Sequence, residues 1–109
     1  MKLDYSSRKL RKLCEDEREM HKRRPDIERT LRIRVAALAA NNSLGDLCAN
    51  DPLGKWHRLT GDHLGQWAGK VSANERIVIE PQEDGVRVIG LSEGLQSTEA
   101  RIIDIGDYH

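Results

Sequence analysis

The sequence predicts an α+β fold, with helices on one side of a twisted, mainly antiparallel sheet. Three observations predict it. Apolar residues repeat at helical spacing in the first forty residues, as in Ile27, Leu31, Val35 and Leu38. β-Branched runs, "RIVIEP" and "ARIIDI", are confined to the second half. Between them glycine and proline, at positions 45, 52, 54, 61, 65 and 69, divide the chain into short pieces.

Taken in order, residues 2–5 suit a short strand, and Ser6 or Ser7 offers a hydroxyl to cap a helix carrying Leu10, Leu13, Cys14 and Met20 on one face. The stretch "HKRRPD" interrupts that helix. Pro25 fits the first turn of a second one, where its missing N–H would have had no partner, and the "AANN" stretch ends it. The expected result is a two-helix hairpin. From Ser43 onward helix gives way to strand: "GQWAGKVS" and "RIVIEP" pair around "AN", and "VRVIGL" and "ARIIDI" follow, separated by a polar turn, "SEGLQST". With 109 residues and 38% of them hydrophobic, one domain spanning 1–109 is expected.

Lysine plus arginine equals aspartate plus glutamate at 18 each, so net charge points to no partner. The distribution is uneven. Residues 1–55 carry 13 basic and 9 acidic side chains, and residues 56–109 carry 5 and 9. This suits an anionic ligand on one face, or only a dipolar surface. No apolar run approaches the roughly 18 residues that span a bilayer, and the first residues lack a signal-peptide core, so a cytoplasmic protein without membrane contact is expected. Cys14 and Cys48 have no neighbours at metal-ligand spacing, so they read as small thiols and no metal site is expected.

The second half gathers groups able to move protons or to hold an anion: His57, His63, Arg76 and the closing Asp107, Tyr108 and His109. Cleaving RNA through its own 2'-hydroxyl needs a base for that proton, donors for the charge growing on the phosphate, and an acid for the leaving 5'-oxygen. Two imidazoles, an arginine and a carboxylate suffice, with no cofactor. Each group also has an ordinary reading: His57 as a packed or surface imidazole beside Trp56, Arg76 as an exposed strand residue paired with Glu75 or Glu80, and the closing three as an end without order. His63 lies in a turn and His21 among charges, which suits surface roles. The basic cluster of Lys22, Arg23 and Arg24, with Lys9, Arg11 and Lys12 before it, is either a solvated helix face or a contact for an RNA backbone. Lys55 and Trp56 adjoin His57, and an exposed Trp56 would stack on a base.

Residues 55–81, "KWHRLTGDHLGQWAGKVSANERIVIEP", together with the closing "IIDIGDYH", resemble the HigB-type plasmid maintenance killer proteins, a branch of the RelE/ParE toxin superfamily. The resemblance rests on His57 before Leu59, then Gly61 and Asp62, Trp67, Asn74, Arg76, and Asp107 to His109, and it includes the order of elements along nearly the whole chain. It implies a RelE-like microbial ribonuclease fold and a toxin that cuts mRNA in the ribosomal A site. It further implies a cognate HigA-like antitoxin as partner, with DNA contact only through the antitoxin complex. The family's catalytic residues fall on His57, Arg76, Asp107, Tyr108 and His109, with the imidazoles and Asp107 sharing acid and base duty. Three departures stand out: Thr60 where some relatives have lysine, Glu75 where an aromatic is common, and a longer segment after Pro81. Two alternatives share the resemblance. One is a gyrase-poisoning toxin, a branch that generally lacks the two histidines; the other is a decayed domain that only binds an antitoxin.

Overall fold

The computed structural model describes residues 1–107; Tyr108 and His109, two of the expected site residues, lie outside the described residues. The elements run β1 (Lys2–Tyr5), α1 (Arg8–Glu15), α2 (Glu17–Arg23), α3 (Glu28–Ala40), α4 (Leu44–Asn50), β2 (His57–Arg58), β3 (Trp67–Lys70), β4 (Glu75–Glu83), β5 (Val86–Arg87), α5 (Leu91–Gln96) and β6 (Glu99–Asp107). The fold is α+β with a mainly antiparallel sheet, as the sequence predicts. In the sheet the strand order is β1-β6-β4-β3-β2, with β5 paired to β4.

The helical half corrects the expected hairpin. Ser7 caps α1, its Oγ accepting from the Leu10 amide at 3.1 Å. The helix does not run on to Met20, because Asp16 leaves helical geometry and its carboxylate accepts from the amides of Arg18 and Glu19, which opens α2. Pro25 falls in the turn before α3 rather than in its first turn. Residues 44–50 are helical instead of extended: Ser43 Oγ accepts from the Asp46 amide at 3.2 Å, and Leu44 and Leu47 are buried. Likewise "VRVIGL" forms only the two-residue strand β5, and "SEGLQST" holds α5. No helix among the described residues is long and apolar enough to cross a membrane.

Leu31, Leu38 and Met20 from the helices meet Trp67, Ile77, Ile79 and Ile102 from the sheet in one buried cluster. Burying side chains of this size stabilises by roughly 1.5–3 kcal/mol each. Ile102 and Ile105 both join this core although they are three residues apart, an odd spacing for a strand. A bulge explains it. Val78 pairs with Asp104 and Ile79 with Ile102, so Ile103 is the extra residue and the alternation of β6 reverses there. β1 lies parallel to β6, with Lys2 opposite Glu99 and Tyr5 opposite Ile102, a pairing of distant segments that closes the sheet edge.

Candidate functional site

His57 is delivered by a short segment that is fixed from below. Asp51, the residue after α4, accepts from Arg34 Nη1 at 3.2 Å and from Trp56 Nε1 at 2.9 Å. Arg34 in turn donates from Nε to the Lys70 carbonyl at 2.7 Å, tying α3 to β3. The Trp56 ring lies against Gly69, where an added Cβ would come within 2.7 Å of three ring atoms. Trp56 is therefore a buried anchor, 9% exposed, and not the exposed stacking surface that the sequence allowed. Its N–H has a carboxylate inside the protein, which satisfies the one polar group it would bury. His57, the next residue along an extended strand, points the other way and is exposed.

Sheet register then decides what shares a face with His57. His57 sits opposite Ala68, Ala68 opposite Val78, and Val78 opposite Asp104. Two residues along on the same face, Lys70 sits opposite Arg76, and Arg76 opposite Gly106. At about 4.8 Å per strand and 3.4 Å per residue, the backbones of His57 and Arg76 are roughly 12 Å apart. The sequence reading missed Lys70. Like charges directly opposite one another in a sheet are unfavourable, and among the described residues neither Lys70 nor Arg76 has a carboxylate in ion-pair range. Arg76 instead donates from Nη1 to the carbonyls of Ser72, at 2.9 Å, and Glu75, at 3.0 Å. Two cations with no acidic partner among the described residues, beside an imidazole, form a surface suited to an anion. The spacing of Lys70 and Arg76 across the "VSAN" turn was the only sequence signal that could have found the pair.

Asp107 pairs with Glu75, one residue from the Arg76–Gly106 pair. Its backbone is adjacent to that of Arg76, but the pleat sends the two side chains to opposite faces. Strand β6 thus carries Asp107 to the correct end of the sheet while aiming it toward the helical layer.

The basic cluster divides by partner. Lys22 is exposed at the end of α2. Arg23 binds Glu19, and that bond holds the Glu19 carboxyl below the usual range. Arg24 binds Asp26 at 3.0 Å and also grips Glu75 at the start of β4. Its guanidinium is pushed further toward the charged form, chiefly by the bond to Asp26, and Asp26 is lowered for the same reason. Glu75 is therefore the acceptor through which Arg24 fastens the helical layer to the sheet. Lys55 is exposed beside His57 and has a left-handed backbone, φ 46° and ψ 44°. The two thiols are both half-buried, and desolvation pushes Cys14 up to about 12.

No family model matches the chain, and no curated protein does. Among solved structures the chain is similar to a YoeB/ParE toxin from Agrobacterium tumefaciens, with 20% identity over 100% of both chains and a TM-score of 0.50. At that identity the likeness establishes a shared fold: this chain has the α+β architecture of that toxin.

Proposed function

We propose that residues 1–109 form one toxin domain of a toxin–antitoxin system, of the HigB type, that cleaves mRNA on the ribosome by 2'-hydroxyl attack. The observation that carries this reading is the face shared by an exposed imidazole, His57, and the cross-strand cations Lys70 and Arg76. An imidazole titrates near neutrality and suits proton transfer, while paired cations offset the charge that grows on the phosphorus oxygens. Arg76, with Nη1 on two main-chain carbonyls, exchanges them for phosphate without breaking an ion pair among the described residues. Tyr108 and His109 complete the catalytic set in this reading, and Asp107, whose side chain leaves the strand on the opposite face, joins it only by turning at the end of β6. Lys55 and Lys22 contact the RNA backbone directly; Arg23 and Arg24 do so only by leaving carboxylates. A HigA-like antitoxin holds the toxin inactive, and a cytoplasmic setting with ribosome and mRNA as partners follows. The shared fold with the YoeB/ParE toxin supports the toxin reading.

The test is inducible expression of the intact chain in a bacterial host, with and without the neighbouring reading frame, followed by mapping of mRNA 5' ends. Growth arrest with new in-frame cuts inside translated messages is expected, relieved by the neighbouring frame. An mRNA carrying a single 2'-deoxy substitution at the scissile nucleotide should resist cutting. If DNA damage precedes the halt in translation, the gyrase-poisoning alternative replaces this one. Harmless overexpression would leave the decayed domain.

A further inference from the structure

We propose that His57 exchanges its proton through Nε2, with Nδ1–H held by the main-chain carbonyl of Lys55, which makes Lys55 a positioning residue through its backbone. The chemistry rests on the nuclease reading; the geometry does not. His57 Nδ1 lies 3.0 Å from the Lys55 oxygen. A carbonyl has no proton to give, so this contact is a hydrogen bond only when the proton sits on Nδ1. The neutral ring is then left with its lone pair on Nε2. In the reaction, the 2'-hydroxyl O–H bond breaks, its proton forms an N–H bond at Nε2, and the oxygen attacks phosphorus. The 5'-oxygen leaves with a proton from a different acid.

The carbonyl is aimed by a backbone that lysine rarely adopts. Left-handed geometry crowds Cβ against the following carbonyl in every residue except glycine. Here both flanks force it. The Gly54 amide donates to the Asp51 carbonyl at 3.0 Å and the Lys55 amide to the Pro52 carbonyl at 3.2 Å, closing a tight turn. On the other side, Trp56 is fixed by Asp51 and by its seat on Gly69. Lys55 has to reverse the chain between two anchored points, and His57 emerges beside its oxygen. An acceptor that fixes the tautomer of a working imidazole is the role a buried carboxylate plays in a serine hydrolase triad; here a strained peptide group fills it.

Nitrogen-15 NMR of the His57 ring reads the tautomer directly, in the full chain and independently of activity. Lys55→Gly and Lys55→Val both remove the ammonium group, but glycine accepts the left-handed backbone and valine resists it. We expect the Nδ1–H form to predominate in the wild type and in Lys55→Gly, and to lose its majority in Lys55→Val. RNA cleavage by Lys55→Val should fall about tenfold or more below that of Lys55→Gly, a partial loss of the roughly 10²–10⁴-fold that proton transfer contributes. If Lys55→Val does not fold, Lys55→Ala provides the same contrast in weaker form. A wild-type ring mainly in the Nε2–H form, or equal tautomer ratios in the glycine and valine (or alanine) variants, would overturn the proposal. A chain that cuts no RNA yet shows the expected tautomers would sink the nuclease reading and leave the geometry standing.

Discussion

Arg34 and Arg24 perform the same task, each tying a helical segment to the sheet while paired with a carboxylate, Arg34 through the Lys70 carbonyl and Arg24 through Glu75 itself, but in different surroundings. The side chains of Arg34 and Asp51 are only 6% and 10% exposed, whereas those of Arg24 and Glu75 are each 24% exposed. Arg34 also has a main-chain carbonyl, and Asp51 also has the Trp56 N–H, so the buried pair is fully supplied with partners. Removing one member of such a pair strands a charge where water cannot reach it. Removing one member of the outer pair exposes the other to solvent. The first pair is therefore committed to structure, and the second can be exchanged for another anion. The position of each matters: the inner pair sits under His57, and the outer one sits at the same end of the sheet as Arg76 but on the opposite, helical face.

The comparison breaks most severely at Asp51. Asp51→Ala should destabilise the protein by about 3–5 kcal/mol, the range for one partner lost from a buried pair. Urea unfolding followed by circular dichroism measures it. A loss under about 1 kcal/mol, the range of surface pairs, would mean that water reaches Arg34 and that the brace is no brace. Next in size is Gly69→Ala, whose Cβ would lie 2.7 Å from three Trp56 ring atoms. Overpacking of this kind costs about 1–3 kcal/mol, and the same unfolding experiment reads it. Unchanged stability would show that the ring shifts freely, which would remove the anchor on which the placement of His57 depends.

The same contrast separates what was legible in the sequence from what was not. Strands β3, β4 and β6 announced themselves through local apolar and β-branched runs such as Ile77-Val78-Ile79 and Ile102-Ile103, because the physical cause lies within the run. Helix α4 was hidden by Gly45 and Asp46, which separate Leu44 from Leu47 in a pattern too short to show a period. Asp16 lies inside the stretch expected to be one helix as far as Met20, and only its hydrogen bonds make it a cap. For the site, His57, Arg76 and Asp107 were nominated from motif alone, and their faces depend on register. The Ile103 bulge is set by β4, about 25 residues earlier, and the pairing of β1 with β6 joins segments about a hundred residues apart, both beyond local pattern. Trp56 was misread as exposed because its acceptor, Asp51, and its seat, Gly69, are set by tertiary contacts. Glu75 was read as a missing aromatic, whereas its partner Arg24 is 51 residues away in sequence.

The smallest expected effect falls on the outer pair. Glu75→Gln removes one of the two carboxylates held by Arg24 and should change stability at neutral pH by no more than about 1 kcal/mol. Asp26 remains, and its folded-state pKa lies below the ordinary carboxylate value because of its bond to Arg24. A carboxylate lowered by folding contributes stability that is present above its unfolded pKa, about 3.9, and is lost as pH falls through the folded value. The variant should therefore still lose stability below about pH 4. Losing that acid dependence would assign it to Glu75 instead. With one competitor gone, Arg24 becomes more available to phosphate. Binding of a short single-stranded RNA should tighten, and its dependence on salt should steepen by up to about one unit of slope for one added phosphate contact. An unchanged slope would show that Arg24 stays with Asp26 whatever else is offered, and that both arginines are structural.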